Sequence, residues 1–109
     1  MNKLDLPYIL HIQSCLNRID EYTRSGRDFF LKDYKTQDAV LRNLQTLAES
    51  SQKISEDFKS KNPAIPWKKL SGFRNILVHN YLGLNLEKVW DVIEQDIPQL
   101  GVQFKKAQP

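Results

Sequence analysis

Pro66-Trp67-Lys68-Lys69-Leu70-Ser71-Gly72-Phe73-Arg74-Asn75-Ile76-Leu77-Val78-His79-Asn80-Tyr81 decides how the chain is read. Trp67, Leu70, Phe73 and Leu77 recur at steps of three and four, the spacing of one buried face of an α-helix. Pro66 suits the first turn of that helix, because the N–H it lacks would find no partner there. Tyr81-Leu82-Gly83 closes the pattern. With each residue turning about 100°, His79 falls opposite the apolar stripe, Asn75 lies one turn before it on the same face, and Arg74 borders the stripe. Tyr81 follows Arg74 at seven residues, on a similar side.

Working outward, the same period recurs on both sides. Ile9, Ile12, Leu16 and Ile19 form a stripe in a helix expected over about Leu6–Tyr22, stopped by Ser25-Gly26-Arg27. Phe29 and Phe30 then fall in a linker that tucks under the body of the molecule. A second helix opens at Asp33 or Thr36, either of which can cap it. Its stripe runs through Leu41, Leu44, Leu47, Ala48, Ile54 and Phe58, and it ends at Ser60-Lys61-Asn62-Pro63. After the Pro66 helix, Asn85 caps a fourth, carrying Leu86, Val89, Trp90, Val92 and Ile93. Pro98 either kinks that helix or starts a short extra C-terminal helix containing Leu100. No window shows period-two alternation. The expected fold is an all-α, antiparallel four-helix bundle, and residues 1–109 read as one domain.

Composition narrows the function. The chain has 109 residues and a net charge of +3, a mild basicity that permits nucleic-acid binding without demanding it. The single cysteine, Cys15, allows no internal disulfide and no cysteine metal cluster, and its setting in an apolar stripe reads as a small buried hydrophobe. His11 and His79 lie in different segments with no carboxylate at ligand spacing, so no metal site and no cofactor are expected. There is no P-loop, no dinucleotide-binding glycine motif and no support for a serine or cysteine nucleophile triad. Asp5 and Pro7 interrupt the apolar run that a secretory leader would need, and no stretch approaches the ~18 apolar residues of a membrane span. A cytoplasmic protein is the expectation.

The residues that carry chemistry are therefore those of the Arg74–Tyr81 segment. Taken singly each has a structural reading: His79 as a cap for helix-end carbonyls, Arg74 as a surface charge, Tyr81 as packing at a helix terminus, Asn75 as polar surface. Together they suit metal-free RNA cleavage, in which the 2′-hydroxyl attacks the adjacent phosphorus and the 5′-oxygen leaves. A histidine exchanges a proton near neutral pH. An arginine offers a permanent planar fork to the developing phosphorane. Asn75 can orient the histidine or hold a phosphate oxygen. Lys59, Lys61, Lys68 and Lys69, with Trp67 among them, could flank a groove for RNA backbone; Trp67, Lys68 and Lys69 are taken as the RNA-binding candidates. One arginine and one histidine make a thin site, which a twofold dimer would complete.

Arg74-x4-His79-x-Tyr81 resembles the motif of HepT-like toxins, members of the HEPN superfamily. The likeness extends through Ile65-Pro66-Trp67, through Leu47-Ala48-Glu49 (similar to an acidic helix-two segment), and through Asn85–Trp90 and Asp96–Leu100, which resemble the closing helix. It implies an endoribonuclease homodimer with Arg74 and His79 as the catalytic pair and Asn75 in support. It also implies that Tyr81 is the residue that a partner nucleotidyltransferase antitoxin adenylylates. Some members of the superfamily keep the fold without nuclease activity, so a non-catalytic binding module for a nucleotidyltransferase is the alternative, and a plain helical interaction domain a third reading.

Overall fold

The computed structural model describes residues 4–79 and 85–107, and of 75–79 the helical backbone. Among the described residues there are only helices and their connections. The first, α1 (Leu6–Tyr22), has Pro7 in its opening turn and buries Ile9, Ile12, Cys15, Leu16 and Ile19. At its end Thr23 Oγ1 donates to the Ile19 carbonyl over 2.8 Å. Gly26, at φ 91°, then turns the chain through a conformation that a side chain would oppose.

The expected linker is a short helix, α2 (Arg27–Lys32). Phe30 is wholly buried from it, with its ring 5.5 Å from that of Trp90, whereas Phe29 stays exposed. Asp33 caps α3 (Tyr34–Gln52) by accepting from Thr36 N at 3.1 Å.

The second expected helix is two. Its apolar period carries on through Ile54 and Phe58, but the backbone breaks at Lys53 and restarts as α4 (Glu56–Lys61). The cause is Asp5. Its carboxylate is 2% exposed and accepts from Ser55 N at 2.8 Å and from Ser55 Oγ at 2.7 Å. The same Ser55 Oγ accepts from Phe58 N at 3.2 Å and so caps α4.

The helix α5 (Trp67–His79) follows, with Leu70 N donating to the Pro66 carbonyl at 3.1 Å. Asn85 caps α6 (Leu86–Asp91), accepting from Glu87 N at 2.9 Å and Lys88 N at 3.3 Å. A π-helical turn (Val92–Asp96) joins α6 to α7 (Ile97–Lys106). Pro98 lies in the first turn of α7, where its missing N–H is tolerated because the preceding turn is widened. Of the two expectations at Pro98, the extra C-terminal helix is the one found, and it buries Ile97, Leu100 and Phe104.

Four rods result: α1, α3, α5 and the joined α6–α7. Residue pairs 5/55, 11/50 and 15/46 bridge α1 to α3 and the corner beyond it, so these run antiparallel. Gln103 reaches the Ala64 carbonyl and Lys69 reaches Asp96, so α5 and the last rod also run antiparallel. Gln13 Nε2 donates to the Phe104 carbonyl at 3.0 Å and ties α1 to α7. The all-α expectation holds, with α2 and α4 added as corners. Replacing Asp5 with Ala strands the Ser55 donors and loosens the α4 cap; an unfolding free energy lower by about 2 kcal/mol is expected, read from urea denaturation.

Candidate functional site

The site is built on α5. Leu70 and Phe73 are buried at 0% and 5% exposure, so the inward face is the one read from the sequence. Arg74, next along, is exposed, and its Nη1 donates to Gln52 Oε1 at 3.4 Å. Gln52 is the last residue of α3, whose end therefore forms the wall beside the guanidinium. Glu49 lies on the same side of α3 one turn earlier, half-buried, accepting from Gln45 Nε2 at 3.3 Å. None of the ion pairs among the described residues involves Arg74.

The helical backbone of α5 continues through His79. Asn75 and His79 therefore keep the register of one face, a turn apart, with Arg74 about 140° round the axis from His79. The side chains of Asn75 and His79, and Tyr81 altogether, lie outside the described residues. Gly72 shares the face opposite the core. A Cβ placed on it would meet nothing within 4 Å among the described residues, so none of these requires glycine there.

The three RNA-binding candidates separate. Trp67 is half-buried core. Its ring stands edge to face with Phe58 at 6.1 Å and with Phe104 at 5.8 Å, Lys59 Nζ lies 5.9 Å over it, and its Nε1 donates to the Asn62 carbonyl. Segments far away in sequence pack against its ring and hold it in place. Lys69 Nζ is engaged by Asp96 at 2.9 Å. Lys59 and Lys61 are likewise paired, with Glu56 and Asp57. Lys68 is exposed and in none of the ion pairs among the described residues.

Sequence reading missed Gln52, because a neutral amide carries no motif signal. It also missed Lys53, which follows Gln52 and holds its ammonium 5.8 Å over the Tyr8 ring. His11 belongs to the α1–α3 seam: Nδ1 is 2.6 Å from Ser50 Oγ and Nε2 is 3.5 Å from Cys15 Sγ. Among the described residues no group of three or more His, Cys, Asp or Glu is placed to hold a metal ion, and no helix is long and apolar enough to cross a membrane.

Comparison with known proteins gives a consistent result. Residues 12–107 match the family model described as ribonuclease HepT-like. A relative from Thermococcus cleftensis, named probable ribonuclease HepT, is 36% identical over 107 residues, covering 97% of each chain. The mRNA nuclease HepT of Shewanella oneidensis is 28% identical, covering 89% of this chain and 90% of its own. No solved structure matches. The assignment of Trp67 to packing predicts that Trp67→Ala lowers stability by about 3–5 kcal/mol. Lys68→Ala should leave the urea midpoint unchanged and lower the salt dependence of RNA binding by about one counterion; titrations at several salt concentrations check it.

Proposed function

The chain belongs to the HepT-like ribonuclease family, and on that premise we propose that it is a metal-independent endoribonuclease toxin working as a homodimer of this single domain in the cytoplasm. The observation that carries the reading is Arg74: exposed on α5, held by a neutral acceptor and free of any ion pair among the described residues, on the helix whose backbone keeps Asn75 and His79 in register.

In the proposed reaction His79 accepts the 2′-hydroxyl proton as the 2′-oxygen bonds to phosphorus. Arg74 donates to the equatorial oxygens of the phosphorane, where charge builds. The bond from phosphorus to the 5′-oxygen breaks, and that oxygen takes a proton. The products are a 2′,3′-cyclic phosphate and a 5′-hydroxyl. Asn75, one turn before His79, orients it or holds a phosphate oxygen. Lys68, exposed on the same helix, adds positive charge for the backbone of the RNA, and Lys69 would join it on exchanging Asp96 for a phosphate.

A single α5 supplies one arginine and one histidine, and the proposed cleft lies between two copies of this helix. Gly72 supports that placement. A glycine in mid-helix costs about 0.5–1 kcal/mol relative to alanine. Nothing among the described residues crowds the position, so a close approach from outside would give it a purpose. Tyr81 is the proposed site of adenylylation by a partner nucleotidyltransferase antitoxin. The added nucleotide would bring bulk and negative charge next to Arg74 and His79 and repel RNA.

With total RNA in excess EDTA, the native protein is expected to cleave, and His79→Ala or Arg74→Ala to fold normally but cleave about 10²–10⁴-fold more slowly. Normal cleavage by His79→Ala would place the chemistry elsewhere. An inert native protein whose Tyr81 is nevertheless adenylylated by the partner would make it a binding module. Gly72→Leu should keep its helix content and lose both cleavage and the dimer in sedimentation. Tyr81→Phe should remain a nuclease in the presence of the nucleotidyltransferase and ATP.

A further inference from the structure

We infer that Gln52 is a positioning residue for the reaction: as a neutral acceptor at the end of α3, it aims the Arg74 fork without cancelling its charge. The inference rests on the proposed role of Arg74.

The geometry starts with how firmly Gln52 is placed. It ends α3, directly after Ser51, which is 1% exposed and whose Oγ donates to the Ala48 carbonyl at 2.7 Å. Three residues later Ser55 is gripped through its N–H and its hydroxyl by the buried Asp5 carboxylate. The backbone on either side of Gln52 is thus fixed to the core while its side chain reaches outward to Arg74 Nη1. A long, flexible arginine gains a preferred direction from a contact on a second, rigid helix.

The chemical type of the partner matters as much as its place. A carboxylate at position 52 would form a charge-assisted, frequently bidentate pair with the guanidinium and offset the charge that a phosphorane needs. An amide oxygen accepts one hydrogen bond and leaves the full positive charge. The bond uses one N–H of Nη1 at 3.4 Å and leaves the other donors of the fork for an arriving phosphate. Lys53, the next residue, adds a second cation, 5.8 Å over the Tyr8 ring. Glu49, one turn earlier on α3, accepts from Gln45 rather than from Arg74. The group that meets the guanidinium is thus the neutral amide and not the nearby acid.

The test compares native protein, Gln52→Ala, Gln52→Glu and Arg74→Ala in steady-state cleavage of a single-stranded RNA, with ¹⁵N spectra of the Arg74 Nε–H. Gln52 and Arg74 are exposed, so thermal unfolding should be unchanged in all three variants. Gln52→Ala should lose about two- to tenfold in kcat, the worth of one neutral hydrogen bond, with KM nearly constant and the Arg74 Nε–H resonance moved to its random-coil position. Gln52→Glu, isosteric but charged, should keep the resolved resonance and raise KM several-fold at low salt, an effect that salt erases.

Unchanged kcat in Gln52→Ala beside an inactive Arg74→Ala overturns this inference and leaves the proposed function standing. A change in KM alone makes Gln52 an RNA contact and also overturns it. Native-level cleavage by Arg74→Ala, or no cleavage by the native protein, overturns the proposed function and the inference with it.

Discussion

A buried carboxylate holds the molecule in register. Asp5 sits ahead of α1 and closes on Ser55, fifty residues away in sequence, through two hydrogen bonds that offset the cost of removing the charge from water. This contact ends α3, starts α4 and pins the first turn of α1 to both. Along the same seam, His11 meets Ser50 and Cys15 meets Thr46, each pair stepping down α1 and up toward the start of α3. Apolar helix faces tolerate sliding; a ladder of polar pairs does not, because a slip leaves buried donors and acceptors unmatched. The place of Gln52 relative to α5, and so the surroundings of Arg74, follows from this register.

The parts of the fold legible in sequence are those set by local rules. The stripes of Ile9–Ile19 and of Leu70–Phe73, the caps at Asp33 and Asn85, and the start of α5 at the residue after Pro66 all depend on residues a few positions apart. The break between α3 and α4 was hidden because apolar spacing continues across it through Ile54 and Phe58. Its cause is a partner fifty residues upstream that no window contains. The helix at Arg27–Lys32 was too short for a period to register. The extra C-terminal helix was legible at Pro98, whereas its continuity with α6 through a widened π turn was not.

The site divides in the same way. Arg74 and the register of Asn75 and His79 were legible because helical spacing fixes them within α5. Trp67 among lysines looked like a surface for bases, yet its environment is set by Phe58 from α4 and Phe104 from α7. Lys69 looked free until α7 brought its neighbour Asp96 alongside. Charge neutralisation between distant segments is invisible to composition, which counts the lysines and cannot pair them.

In the proposed reading, folding and chemistry are kept on different sides of one helix. The face of α5 carrying Leu70 and Phe73 supplies core, and the face carrying Lys68 and Gly72 supplies none. A chain of this size has little stability to spare, so a site needing several inward-pointing charges would compete with the core for the same small volume. Placing one fixed cation on the rim avoids that conflict. It leaves each chain with an incomplete constellation, and in the proposed dimer a second α5 supplies the remainder. Apposed arginines would repel one another, and neutral partners such as Gln52 leave that repulsion in place, so that in the proposed dimer the phosphate, on arrival, becomes the common counterion.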